Sequence, residues 1–230
     1  MLVDSFRLEV EPYTHDGGGF QVLVHLNDVE MTSAGAGLGM DPYDILIPNN
    51  RLQASEKPHT TPIARCECGI YGCGATDVTI TRHGDRVLWD WRIEVPMNRG
   101  VSFKASEYDR EVNRVASDLS WETPERTAGR LVLTGLNNKH LLNHGLTPDG
   151  AANFYRNPEL FRVALRIGNG YQVFVDTPWQ GRSAEQLAAA VCATLAQPPN
   201  RWTAEWHAVE SSLRSKPPAI AGSRWRPFEF

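Results

Sequence analysis

Three of the chain's four cysteines, Cys66, Cys68 and Cys73, fall inside the ten-residue stretch RCECGIYGCG that runs from Arg65 to Gly74. Thiolates bind Zn²⁺ tetrahedrally, and a closed structural site needs four nitrogen or sulfur ligands. The C-x-C-x4-C spacing supplies three of them on one short loop, and Gly69, Gly72 and Gly74 allow the backbone to turn tightly around them. The fourth donor would be Cys192, His59 or His83, each of which only the fold can bring near. Three readings of the stretch are open: a glycine-rich turn carrying semi-buried sulfur, a structural zinc site, and a redox or nucleophilic thiol. The thiol reading would use Arg65 to lower a thiolate pKa, but Glu67, between Cys66 and Cys68, opposes that effect. The missing fourth ligand favours the turn. No cofactor is therefore expected, zinc being the alternative that the cluster leaves open.

The other constellations are thinner. His140 and His144 are four apart and would share a helix face, but the hydrolytic zinc motif needs a Glu after its first His, where this chain has Leu141. GAGLG at 35–39 is followed by Met40-Asp41-Pro42 rather than by a helix that could meet a phosphate, so it reads as a surface loop. No serine stands in a G-x-S-x-G elbow. Asp176, Trp179 and Arg182 sit between an expected strand and a capped helix, which makes them candidate partner-binding residues. The RWRPF run from Arg224 to Phe228 interleaves cations and aromatics, and packing back by cation–π contacts is its expected use.

The opening C-x-C-G (Cys66, Cys68, Gly69) resembles the short zinc-binding tail of bacterial preprotein-translocase ATPases, a resemblance that implies zinc. That tail carries an adjacent second ligand pair, where this chain has Cys73-Gly74. The chain also resembles a loose group of uncharacterised bacterial proteins that carry CxCGxxGC just before a tryptophan-containing β-hairpin. The matching residues are Cys66, Cys68, Gly69, Gly72, Cys73, Val87, Trp89 and Trp91, and the likeness spans residues 20–120. The group has no established activity, so the resemblance implies no catalytic residue.

The elements that must position these residues follow from periodicity. Phe6, Leu8 and Val10 alternate with charged residues, and Phe20, Val22, Val24 and Leu26 repeat the pattern, which predicts two antiparallel strands joined by a loop over EPYTHDGGG. Val78 and Ile80, then Val87, Trp89 and Trp91, flank the turn His83-Gly84-Asp85-Arg86 as a hairpin. Ser106 with Asp109 reads as a capping box opening a helix along Tyr108, Val112, Val115 and Leu119. Thr123-Pro124-Glu125 opens a second helix, and Ser183 with Gln186 opens a third along Leu187 and Val191. FRVALRI and YQVFV flank Gly168-Asn169-Gly170 as a further hairpin near 161–175. Trp202, Trp206, Val209 and Leu213 suggest one more amphipathic helix.

The expected fold class is therefore α+β, with antiparallel β-hairpins in the N-terminal half and helices concentrated after residue 105. One body over residues 1–230 is expected, a subdivision near 120–125 being the alternative. Trp89, Val112, Leu119 and Val191 are expected to be buried.

A net charge of -4 without a basic run gives nucleic acid or an anionic membrane no electrostatic footing. The amino terminus reads as no signal peptide, and no membrane-spanning stretch is present. The expected place is the reducing cytoplasm, where thiols stay free. With no catalytic motif complete, the expected function is a non-catalytic binding or regulatory protein, immunity-like or a scaffold, with a protein partner. Trp179, Trp202 and Trp206 are its candidate aromatic surface. The alternative is an enzyme assembled from residues remote in sequence, thiol- or zinc-dependent, using Asp176, His83 or a cysteine.

Overall fold

A computed structural model describes residues 3–13, 19–69, 71 and 73–229. Residues 14–18 of the expected connecting loop, and Ile70 and Gly72 of the glycine-rich turn, lie outside the described residues. By internal contacts the chain divides into two compact units, Met1–Trp121 and Glu122–Phe230. Each is α+β.

The first unit runs β1 (Phe6–Tyr13), β2 (Gly19–Leu26), β3 (Val29–Glu30), β4 (Gly37–Gly39), α1 (Pro42–Ile45), β5 (His59–Cys66), β6 (Ala75–His83), β7 (Arg86–Ile93), β8 (Val101–Lys104) and α2 (Ala105–Ser117). Strands β1 to β3 form one antiparallel sheet, and β4 to β8 form a second in chain order. The hairpins arise where alternation predicts them: Leu8 pairs with Val24, and Ile80 with Trp89. Strand β6 lies at the centre of its sheet and is buried on both faces over Ala75–Thr81. Its threonines therefore bond inside the sheet, Thr79 with the Thr60 hydroxyl at 2.9 Å and with Arg92 Nε at 2.7 Å.

Trp89 is fully buried against the rings of Phe6, Phe103 and Tyr108, at centroid distances of 5.2, 5.5 and 6.0 Å. A buried indole N–H needs an acceptor. Trp89 Nε1 donates to the Tyr108 hydroxyl (3.2 Å), which donates to the Leu52 carbonyl (2.6 Å).

Three expectations for this unit are corrected. Helix α2 leaves β8 directly at Ala105 with Lys104 as its N-cap and no side-chain cap, so Ser106 lies inside the first turn, and Asp109 pairs with Arg82 instead. Leu119 lies beyond the helix end and is 39% exposed, whereas Trp89 and Val112 are buried. GAGLG is not a surface loop: Gly37–Gly39 is a strand, and Asp41 caps α1 with Pro42 in the first turn. Proline disfavours helical geometry only at the residue before it, and a cap is extended in any case.

The second unit runs α3 (Pro124–Gly135), α4 (Asn138–Asn143), β9 (Leu146–Phe154), β10 (Asn157–Ile167), β11 (Tyr171–Pro178), α5 (Ala184–Leu195), a 3₁₀ turn (Pro199–Arg201), β12 (Ala204–Ala208) and β13 (Trp225–Pro227). Its sheet order is β13-β12-β11-β10-β9, with only the β12–β13 pairing parallel. Thr123 caps α3, and Ser183 and Gln186 form the complete capping box of α5. Val191 is buried on α5.

The stretch expected as an amphipathic helix around Trp206 is strand β12 instead. Ala204, Trp206 and Ala208 point into the core and alternate with Glu205 and His207. Trp202 and Trp206, four apart, satisfy both a helical and a strand period, so their spacing alone did not decide. Both are buried, and Trp202 stacks on Trp225 at 6.3 Å, so neither serves as surface.

Candidate metal centre

Strand β5 ends at Cys66 and β6 begins at Ala75, which places the cysteine stretch in the connection of one hairpin. Gly69 N–H donates to the Cys66 carbonyl at 2.8 Å, closing a four-residue turn. Gly69 has φ +82, a conformation in which a Cβ would be strained. Cys66 N–H donates to the Gly74 carbonyl at 3.0 Å and pins the far end. Tyr71 bridges to Gly74, and its hydroxyl donates to the Asp77 carboxylate at 3.1 Å.

This framework gathers the three sulfurs within 4.8 Å of one another. Cys68 and Cys73 stand 3.2 Å apart, far beyond an S–S bond of about 2.05 Å. Ligands about 2.3 Å from one tetrahedral zinc have sulfurs about 3.8 Å apart, so the cluster is of the right size. Cys66 is half-buried, while Cys68 and Cys73 are exposed.

Without a cation, such crowding disfavours charge. The neighbouring Cys66 and Cys68 sulfurs, by hydrogen bonding first and then by like charge, push the Cys73 thiol up to about 12. A bound dication reverses this local logic, since it binds thiolates and releases their protons.

The remaining sequence candidates do not join the cluster. His59 opens β5 and its Nε2 lies 2.8 Å from the Arg51 carbonyl. Seven extended residues, roughly 20 Å, separate it from Cys66. His83 closes β6, roughly 25 Å of strand away from the loop. Cys192 is on α5 of the second unit, half-buried beside Gly135, and burial pushes its thiol up. Arg65 does not face the thiols. Its side chain runs to the Tyr13 ring (5.6 Å) and to Asp44 (3.9 Å), on the opposite face of β5 from Cys66.

Glu94 escaped the sequence reading. An added Cβ on Gly74 would lie 3.2 Å from Glu94 Oε1 and 3.3 Å from Cys66 Cβ, so the carboxylate sits beside the cysteine loop. Nothing in residue spacing signals this. It follows from the register of β6 against β7.

In the second unit, Asp176 accepts two 2.7 Å hydrogen bonds from Arg162. Trp179 donates to Asn153 Oδ1 (2.7 Å) and meets Phe161 edge-on, while Arg182 donates to the Pro178 carbonyl. All three are thus tied into their own unit. The open face of this sheet carries a cavity of about 370 Å³ lined by Phe154, Tyr155, Arg162, Phe174 and Phe228. The Arg162 guanidinium lies 3.7 Å from the Phe154 ring centre and 4.8 Å from that of Phe174. The RWRPF tail does pack back: Trp225 is buried and Phe228 meets Phe174 at 5.1 Å.

Among the described residues no helix is long and apolar enough to cross a membrane. No family model, curated protein or solved structure matches the chain.

Proposed function

We propose that this is a non-catalytic binding or regulatory protein whose β5–β6 connection is held in shape by zinc on Cys66, Cys68 and Cys73. What supports the metal is the convergence of three sulfurs within 4.8 Å on a glycine-turned loop. What supports binding over catalysis is the chemistry of the thiols. Thiolates that hold a structural zinc are committed to the ion and are not free to act as nucleophiles. Zinc here would order a loop that presents Tyr71, 49% exposed, to a protein partner. Neutralising that partner or scaffolding an assembly are the roles such a surface serves.

Metal analysis of the purified full chain tests this reading. One zinc per chain is expected, lost on chelation and absent from a Cys66→Ser, Cys68→Ser double variant. Sub-stoichiometric zinc in protein purified from zinc-supplemented cells refutes it.

A further inference from the structure

Three sulfurs leave a tetrahedral ion one donor short, and the hairpin that carries them brings a carboxylate to their side. Resting on the zinc reading above, we infer that Glu94 is the fourth ligand, giving an S₃O site for zinc.

The backbone aims Glu94 there. In the β6–β7 pairing Asp77 opposes Ile93 while Val78 opposes Trp91, so an extra residue bulges out at the end of β7. Bulges re-aim side chains and break off pairing. The next residue, Glu94, has φ +39, a left-handed conformation that a glutamate rarely adopts. Residues held there persist where their surroundings fix them, and they gather at ligand-holding sites. Here the fixing group is Thr76, whose hydroxyl donates to the Glu94 carbonyl at 3.1 Å and accepts from Ala36 N–H at 2.9 Å. Gly74 completes the arrangement by its missing Cβ, since the space it leaves is bordered by Glu94 Oε1, Oε2 and Cys66 Cβ. Among the described residues the carboxylate has no ion-pair partner.

The donor chemistry fits one ion class. Zinc takes thiolate sulfur at about 2.3 Å and carboxylate oxygen at about 2.0–2.2 Å with no geometric preference of its own. Thiolates select against Mg²⁺ and Ca²⁺. The carboxylate lies outside the group of mutually close sulfurs, so rotation of an exposed side chain closes the site. Glu67, nearer in sequence, is turned away, its side chain packed against Gly37.

The test is a Zn²⁺ titration against a chromophoric chelator, paired with Co²⁺ substitution, on the full chain and on Glu94→Gln and Glu94→Gly. Glu94→Gly relieves the left-handed backbone and so keeps the fold while removing the donor. Both variants should weaken zinc binding at least about tenfold. Their thiolate-to-cobalt charge-transfer intensity should stay that of three sulfurs while the d–d bands change as water replaces the carboxylate. Unchanged affinity and unchanged d–d bands in both variants overturn the Glu94 assignment and leave the three-cysteine site standing. Failure of the unaltered chain to bind either ion overturns both.

Discussion

Replacing Asp4 by Asn should cost the first unit about 2 kcal/mol at neutral pH, and the cost should shrink in acid. Asp4 is buried (5% exposed) just before β1 and accepts from four donors: Asn27 Nδ2 at 2.8 Å, Ser102 N–H at 3.1 Å, and Arg99 at 2.5 and 3.1 Å. The Arg99 bonds are the largest cause holding its carboxyl at about 2, against an ordinary 3.8. At about 1.4 kcal/mol per pH unit this lowering corresponds to roughly 2.4 kcal/mol. The Arg99 side chain is 51% exposed, so solvent screens part of the attraction and about 2 kcal/mol is the figure to test. The sign is fixed by the direction of the shift. A carboxyl whose folded pKa is depressed stabilises fully above its unfolded value, and that contribution fades as pH falls through the folded one. Between pH 7 and pH 3 the difference between the two proteins should fall by roughly half. An amide also turns a donor toward at least one of the four donors, whichever way it flips. Urea unfolding of both proteins at pH 7, 5 and 3 gives the comparison. A loss below about 0.5 kcal/mol at pH 7, or an equal loss at pH 3, refutes the account of Asp4 as an ionised tie.

Tyr108→Phe should destabilise the first unit by about 2 kcal/mol in denaturant titrations, because it leaves the Trp89 N–H and the Leu52 carbonyl buried with one partner fewer. Trp202→Ala should cost about 3–5 kcal/mol, seen as a lowered urea midpoint and loss of near-ultraviolet dichroism, since it removes a fully buried ring stacked on Trp225. Cys192→Ala should leave zinc stoichiometry and affinity as they are in the unaltered chain, measured by the same chelator competition, because its sulfur packs beside Gly135.

The sequence was most legible where one period had no rival. Val78 and Ile80 facing Val87 and Trp89 across a Gly84 turn admit only a hairpin, and the Ser183–Gln186 box names its helix start. Trp202 and Trp206 were ambiguous because a spacing of four serves both periods, and Ala204, Ala208 and the 58% exposure of Val209 decide for strand. The Ser106 cap failed because the helix runs straight out of β8 and starts one residue earlier, at Ala105, where local spacing gives no sign of it. Strand β9 was not foreseen, since Pro148 and Gly150 weaken a strand pattern locally, yet an edge strand tolerates both. At the site, the three cysteines were legible because one turn holds them. His59 and His83 misled for a physical reason: an extended strand carries the chain away from the loop faster than any other structure. Glu94 was invisible because a strand register, with its bulge, is not written in local spacing.

The ties made by Asp4 and Leu8 bear on the order in which a nascent chain can fold. Asp4 N–H donates to the Ser102 carbonyl, and Leu8 N–H donates to Glu111, whose partner Arg114 donates back to the Leu8 carbonyl. The first unit can form its hairpins early, but it cannot lock its leading strand until more than a hundred residues have been made. In the second unit β9 to β12 pair in sequence as each is added, and most of the sheet can assemble as it emerges. Loop closure over long separations is the slow step in folding. The first unit should therefore hold an unlatched leading edge throughout much of its own synthesis, the interval in which a chaperone that recognises exposed strands would find it.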